Sequence, residues 1–137
     1  GFLAHPEFVA SRNDPSAFLI GVSMGGLVAS CAQDAGFAGT VIAISSPTRT
    51  EPDNVSRLHI GPHPRRVVLY GPEDEVIKGR CETWPAYAKH VYALPWLTHD
   101  TDKHLPSLVY LISGIVRNGP EIIPALLEAT EHVVAEV

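Results

Sequence analysis

Ser23 is the residue of this sequence best placed to become a nucleophile. Residues 21–26 read Gly-Val-Ser-Met-Gly-Gly, so Ser23 stands in a G-x-S-x-G pattern with Gly21, Gly25 and Gly26 around it. A serine hydroxyl is a poor nucleophile at neutral pH, so a base must take its proton and a carboxylate should orient that base. The chain offers both downstream, in the order serine, acid, histidine. The acids lie in Tyr70-Gly71-Pro72-Glu73-Asp74-Glu75-Val76, and the histidines in Thr98-His99-Asp100 and Lys103-His104. Glu73, Asp74 and Glu75 also suit a solvated turn, and either His99 or His104 suits the base. The competing chemistry is a metal loop of His99, Asp100, Asp102 and His104, but nothing else in the sequence supplies ligands to it. No metal and no cofactor is expected. Cys31 and Cys81 are far apart with no CxxC or Cys/His spacing and read as free thiols. His5, His59, His63, His90 and His132 read as surface or ordinary core histidines.

These groups act together only if the fold gathers them. Ala17 to Gly21 is a short apolar run after the breakers Asn13, Asp14 and Pro15, and Met24 to Ala35 has helical length and composition. Leu27, Val28, Cys31, Ala32 and Ala35 make its apolar stripe, and Gly36 stops it. The prediction is strand, tight turn, helix, with Ser23 in the turn. The helix starting at Met24 then points its first backbone N–H groups, Met24's own among them, toward a developing oxyanion.

Thr40 to Ile44 reads as a second strand, buried on both faces, and Val67 to Tyr70 as a third, ended by Gly71-Pro72. Between them residues 48–64, with Pro52, Pro62 and Pro64, form a connection with little structure of its own. A brief helix is expected at 80–89, and a fourth strand at His90 to Leu94, closed by Pro95. Asp102 would cap a helix from about Leu105 to Arg117. A last helix carries Ile122, Ile123, Leu126, Leu127, Val133, Val134 and Val137, with Pro124 setting its start. Four strands alternating with helices predict an α/β fold, a mostly parallel sheet of about four strands with flanking helices and right-handed crossovers. One domain over residues 1–137 is expected.

Composition removes other classes. With 45% apolar and 18% charged residues the chain can bury a core, which excludes general disorder. Ten basic residues against 15 acidic ones, clustered nowhere beyond Arg65-Arg66, leave nothing to attract nucleic acid. The longest apolar runs, such as Ala17 to Ile20 and Leu108 to Ile112, fall far short of the ~18 residues of a membrane span. Residues 1–10 lack the basic and apolar regions of a secretory signal, so a cytoplasmic location is expected.

From Phe18 to about Arg117 the chain resembles the C-terminal portion of the α/β-hydrolase family. The resemblance rests on the GVSMGG turn, on the G-x-x-D of Gly71 to Asp74 after the VVLY strand, and on Leu94-Pro95-Trp96-Leu97-Thr98-His99 beyond the next strand. It implies a nucleophile elbow with Ser23 as nucleophile and Asp74 as orienting acid. His99 would be the base, with His104 the alternative nearer the following helix, and the Met24 N–H an oxyanion donor. The implied activity is hydrolysis of a small-molecule carboxylic ester or thioester through an acyl-enzyme, as in lipases and thioesterases. Acyl transfer to another alcohol and cofactor-free perhydrolysis use the same constellation. Trp84 would be core, and Trp96 would also line an acyl pocket. The short spacings resemble the smallest members, which have almost no lid.

The resemblance also implies missing parts. Only residues 1 to about 16 precede the elbow strand, where the family has four further strands and the loop donating the second oxyanion N–H. The expectation is a chain incomplete at its N-terminus, or a strand at 17–21 covered by a partner chain or a second copy. Weak hydrolysis by the isolated chain follows, and the alternative is a noncatalytic fragment or interaction scaffold.

Overall fold

A computed structural model describes residues 12–50 and 58–128, in two compact units divided between His99 and Asp100. The first unit contains β1 (Phe18–Val22), α1 (Met24–Asp34), β2 (Thr40–Ile44), β3 (His63–Tyr70) and β4 (Ala88–Ala93). The strands form one sheet in the order β1-β2-β3-β4, every pair parallel. The α/β class and the four-stranded parallel sheet are as predicted. Parallel neighbours need crossovers, and the alternation of apolar runs with intervening segments supplies them.

The central strands are continuous apolar runs because both of their faces are buried. Val41 and Ala43 of β2 and Val68 of β3 project to the face that carries α1, with Ala29, Phe37 and Trp84 packed around them. Ile42, Ile44, Val67 and Leu69 project to the opposite face and are equally buried. Among the described residues β1 pairs only with β2. Its Ile20 and Val22 each remain 45% exposed.

Several boundaries differ from the sequence expectation. β3 starts at His63, ahead of Val67, because the sheet absorbs Pro64 rather than excluding it. A proline has no N–H for the ladder, and here the β3–β4 register is irregular between His63 and Val67 while pairing to β2 begins at Arg66. The helix expected at 80–89 contracts to a 3-10 turn, Trp84–Ala86. Trp84 is fully buried with its indole N–H donating to the Ser46 carbonyl at 2.8 Å, and His63 N–H takes the Tyr87 carbonyl as the chain enters β4. Residues 51–57, part of the expected connection, lie outside the described residues.

The first unit is braced by a buried cation. Arg66 is 0% exposed. Its Nε–H donates to Gln33 Oε1, its NH1 to the carbonyls of Gly61 and Tyr87, and its NH2 to the Ser30 carbonyl and to Asp34 Oδ1. All five N–H groups of the guanidinium are thus used, tying α1, β3 and the entrance to β4 to one side chain. Burial lowers the Arg66 pKa, and the Asp34 carboxylate opposes that shift. Asp34 Oδ2 in turn accepts the Gly61 N–H at 2.7 Å.

The second unit opens with a 3-10 turn, Thr101–His104, followed by α2 (Leu105–Asn118). Asp102 does not cap α2 as expected. It falls inside the 3-10 turn, which moves the capping position to His104, with Pro106 in the first turn. Gly119, at φ 85°, ends α2, and a 3-10 turn at Pro120–Ile122 leads into helix at 123–128. Gly114 of α2 lies against Leu126, leaving no room for a side chain between them. Val133, Val134 and Val137 of the expected last helix lie outside the described residues. Among the described residues no helix is long and apolar enough to cross a membrane.

Both cysteines are free, and Cys81 is fully buried. Burial, assisted by the hydrogen bond and charge of Glu82, pushes its thiol up to about 12. In alkylation at about pH 8, Cys81 is therefore expected to stay unmodified until the chain is denatured. Between the ordinary thiol value and about 12 the unfolded chain releases a proton that the folded chain keeps, so stability should fall as pH rises through that window. Urea unfolding at about pH 8 and about pH 11 reads this directly, and rapid labelling of folded Cys81 would contradict it.

Candidate active site

Three side chains of the first unit form a continuous hydrogen-bonded line. Ser23 Oγ and His99 Nε2 are 2.9 Å apart, and His99 Nδ1 and Asp74 Oδ2 are 2.9 Å apart. Each residue follows the carboxyl end of a different strand: Ser23 follows β1, Asp74 comes after β3, and His99 after β4. In open parallel sheets that edge is where loops from several strands converge.

Ser23 holds the turn between β1 and α1 at φ 56° and ψ −128°, a conformation that costs an L-residue of order 1–3 kcal/mol. The surroundings enforce it. Its N–H donates to the Ile44 carbonyl at 2.8 Å, which keeps the turn fastened to β2. A Cβ on Gly21 would strike the Gly25 carbonyl, and one on Gly26 would strike Ser46 and Ala43. Gly25 is different, since a side chain there would enter open space. Met24 occupies the first position of α1, so its backbone amide belongs to the N-terminal turn beside Ser23.

Asp74 is held by its own turn. Its N–H donates to the Gly71 carbonyl, and its Oδ1 accepts the Val76 N–H at 2.9 Å. The side chain is fully buried, while that of His99 is 27% exposed. Gly71 has a steric role: a Cβ there would collide with the Leu97 carbonyl. The acid turn and the histidine loop therefore touch backbone to backbone, which carries His99 to Asp74. Glu73 and Glu75 face solvent.

A carboxylate only accepts hydrogen bonds, so its partner Nδ1 must carry the ring proton, leaving Nε2 as acceptor for the Ser23 hydroxyl. Such a line can draw a proton from Ser23 as Oγ forms a bond and hold the resulting imidazolium against Asp74. Of the two histidines considered from sequence, His99 makes the bond to Ser23. His104 ends the 3-10 turn of the second unit. Trp84 is core, and Trp96 is partly exposed between Leu94 and His99. Comparison with family models, with curated proteins and with solved structures finds no match for this chain. Among the described residues no group of three or more His, Cys, Asp or Glu is arranged to hold a metal ion.

Sequence reasoning did not find Ser45, the one other non-glycine residue at positive φ among those described. Nor did it find the Val76 amide on Asp74. Ser45 directly follows an apolar strand, as Ser23 does, and that placement is the only signal it carries.

Proposed function

We propose that this chain is a serine-dependent hydrolase of carboxylic esters or thioesters, of α/β-hydrolase type, working through an acyl-enzyme. The observation that carries this reading is the unbroken Ser23–His99–Asp74 line, ending on a serine in a strained turn at a helix N-terminus. Ser23 Oγ attacks the acyl carbonyl while its proton passes to His99 Nε2. Asp74 keeps the ring in the required tautomer and stabilises the imidazolium. The Met24 N–H, at the positive end of the α1 dipole, donates to the oxyanion. His99 then returns the proton to the leaving group, and a water repeats the sequence on the acyl-enzyme.

Among the described residues β1 has a partner on one edge alone, with Ile20 and Val22 exposed, which supports a second reading as an interaction scaffold whose edge takes a partner chain or a second copy. A fluorophosphonate probe separates the two. Hydrolase activity predicts stoichiometric labelling at Ser23, located by peptide mass spectrometry and lost in His99→Ala. An unlabelled folded chain would defeat the enzyme reading and favour the scaffold.

A further inference from the structure

Ser45 carries two unfavourable features at once. It is 0% exposed with a hydroxyl that has no hydrogen-bond partner among the described residues, and its backbone sits at φ 51°. Glycine would relieve the backbone and alanine would remove the stranded hydroxyl, so neither feature is explained by folding. Its position is specific. The β1–β2 register ends at Val22↔Ile44, so Ser23 and Ser45 are the next residues on neighbouring parallel strands, both left-handed. Neighbouring strands lie about 4.8 Å apart, so the two serine backbones are close neighbours. Ser23 N–H already bonds the Ile44 carbonyl, and Ser45 N–H bonds the Leu69 carbonyl, which fixes both backbones.

We infer that Ser45 is a further hydrogen-bond donor of the site, giving its O–H to Ser23 Oγ as that oxygen makes and breaks its bond to the acyl carbon. The inference rests on the reading of Ser23 as nucleophile. In the resting site Ser23 Oγ is engaged by His99, and the Ser45 hydroxyl is unused. During deacylation water attacks the acyl carbon and its proton passes to His99 Nε2. The C–Oγ bond then breaks, its electron pair moves to Ser23 Oγ, and His99 returns the proton to that oxygen. Ser45 transfers no proton. Its hydroxyl meets the charge that builds on Oγ as the leaving group, an interaction made in the transition state and absent from the ground state, which is the kind that raises turnover.

The test follows acyl-Ser23 by quenched-flow mass spectrometry after mixing the chain with p-nitrophenyl acetate, comparing wild type with Ser45→Ala and Ser45→Gly. Acylation and deacylation are both expected to slow by roughly tenfold or more, the worth of one hydrogen bond to a charged group, because the C–Oγ bond forms and breaks through the same charged oxygen. Melting temperature should hold or rise in both variants, since each removes a cost. Unchanged deacylation would overturn the inference. So would acylation, deacylation and melting temperature falling together, which marks a structural role. A wild-type chain that never acylates at Ser23 would overturn both this inference and the proposed function.

Discussion

Asp74→Asn is expected to lower turnover of an activated aryl ester by about ten-thousand-fold while leaving the fold intact. The reason lies in how the carboxylate is gripped. Val76 N–H donates to Oδ1 and His99 Nδ1 meets Oδ2. In the asparagine variant the backbone amide of Val76 still demands an acceptor, so the side-chain oxygen stays at the Oδ1 position and the NH2 group turns toward His99. Nδ1 must then accept, which puts the ring proton on Nε2, where it faces Ser23 and blocks proton transfer. Both hydrogen bonds survive, so thermal unfolding should barely move. Turnover within tenfold of wild type would mean that the line of bonds does not act as a proton relay.

The largest expected loss of stability lies in the Arg66 brace. Arg66→Met fills much of the same space but leaves the Asp34 carboxylate without its cation and takes a donor from the Gln33 side-chain oxygen and from the carbonyls of Ser30, Gly61 and Tyr87. Removing one member of a buried charged set costs about 3–5 kcal/mol. Against a typical total of about 5–15 kcal/mol, that takes a large share of what holds a domain together. The urea midpoint is expected to fall by roughly 2 M for a slope of about 2 kcal/mol per M. Arg66→Lys should fall between, because it keeps the charge but has three donors rather than five. A loss below about 1 kcal/mol in Arg66→Met would show that the cluster is readily replaced by apolar packing.

Why some features were legible before the structure follows from their range. The apolar run at Thr40–Ile44 and the helix from Met24 are local patterns, and local burial decides them. Ser23 was legible because glycine spacing around a serine is itself the signature of the turn. Gly71 was visible as part of a motif, but its reason, contact with the Leu97 carbonyl, is tertiary. The helix expected at 80–89 failed because its local propensity was overridden by Trp84 entering the core and by strand pairing that starts at Ala88. The choice between His99 and His104 turns on where a loop lands, which no spacing fixes. Arg66 looked like an ordinary basic residue beside Arg65, because four of its five partners come from distant segments.

The separation of the three groups along the chain has a consequence in time. Ser23 and His99 are 76 positions apart, and β2 and β3 lie between β1 and β4 in the sheet that brings them together. Pairing at such distance is the slow part of folding an open sheet, since loop closure is lost as entropy before any contact offsets it. Under the proposed function, Ser23 gains its base only once β4 has joined the sheet and His99 has followed it.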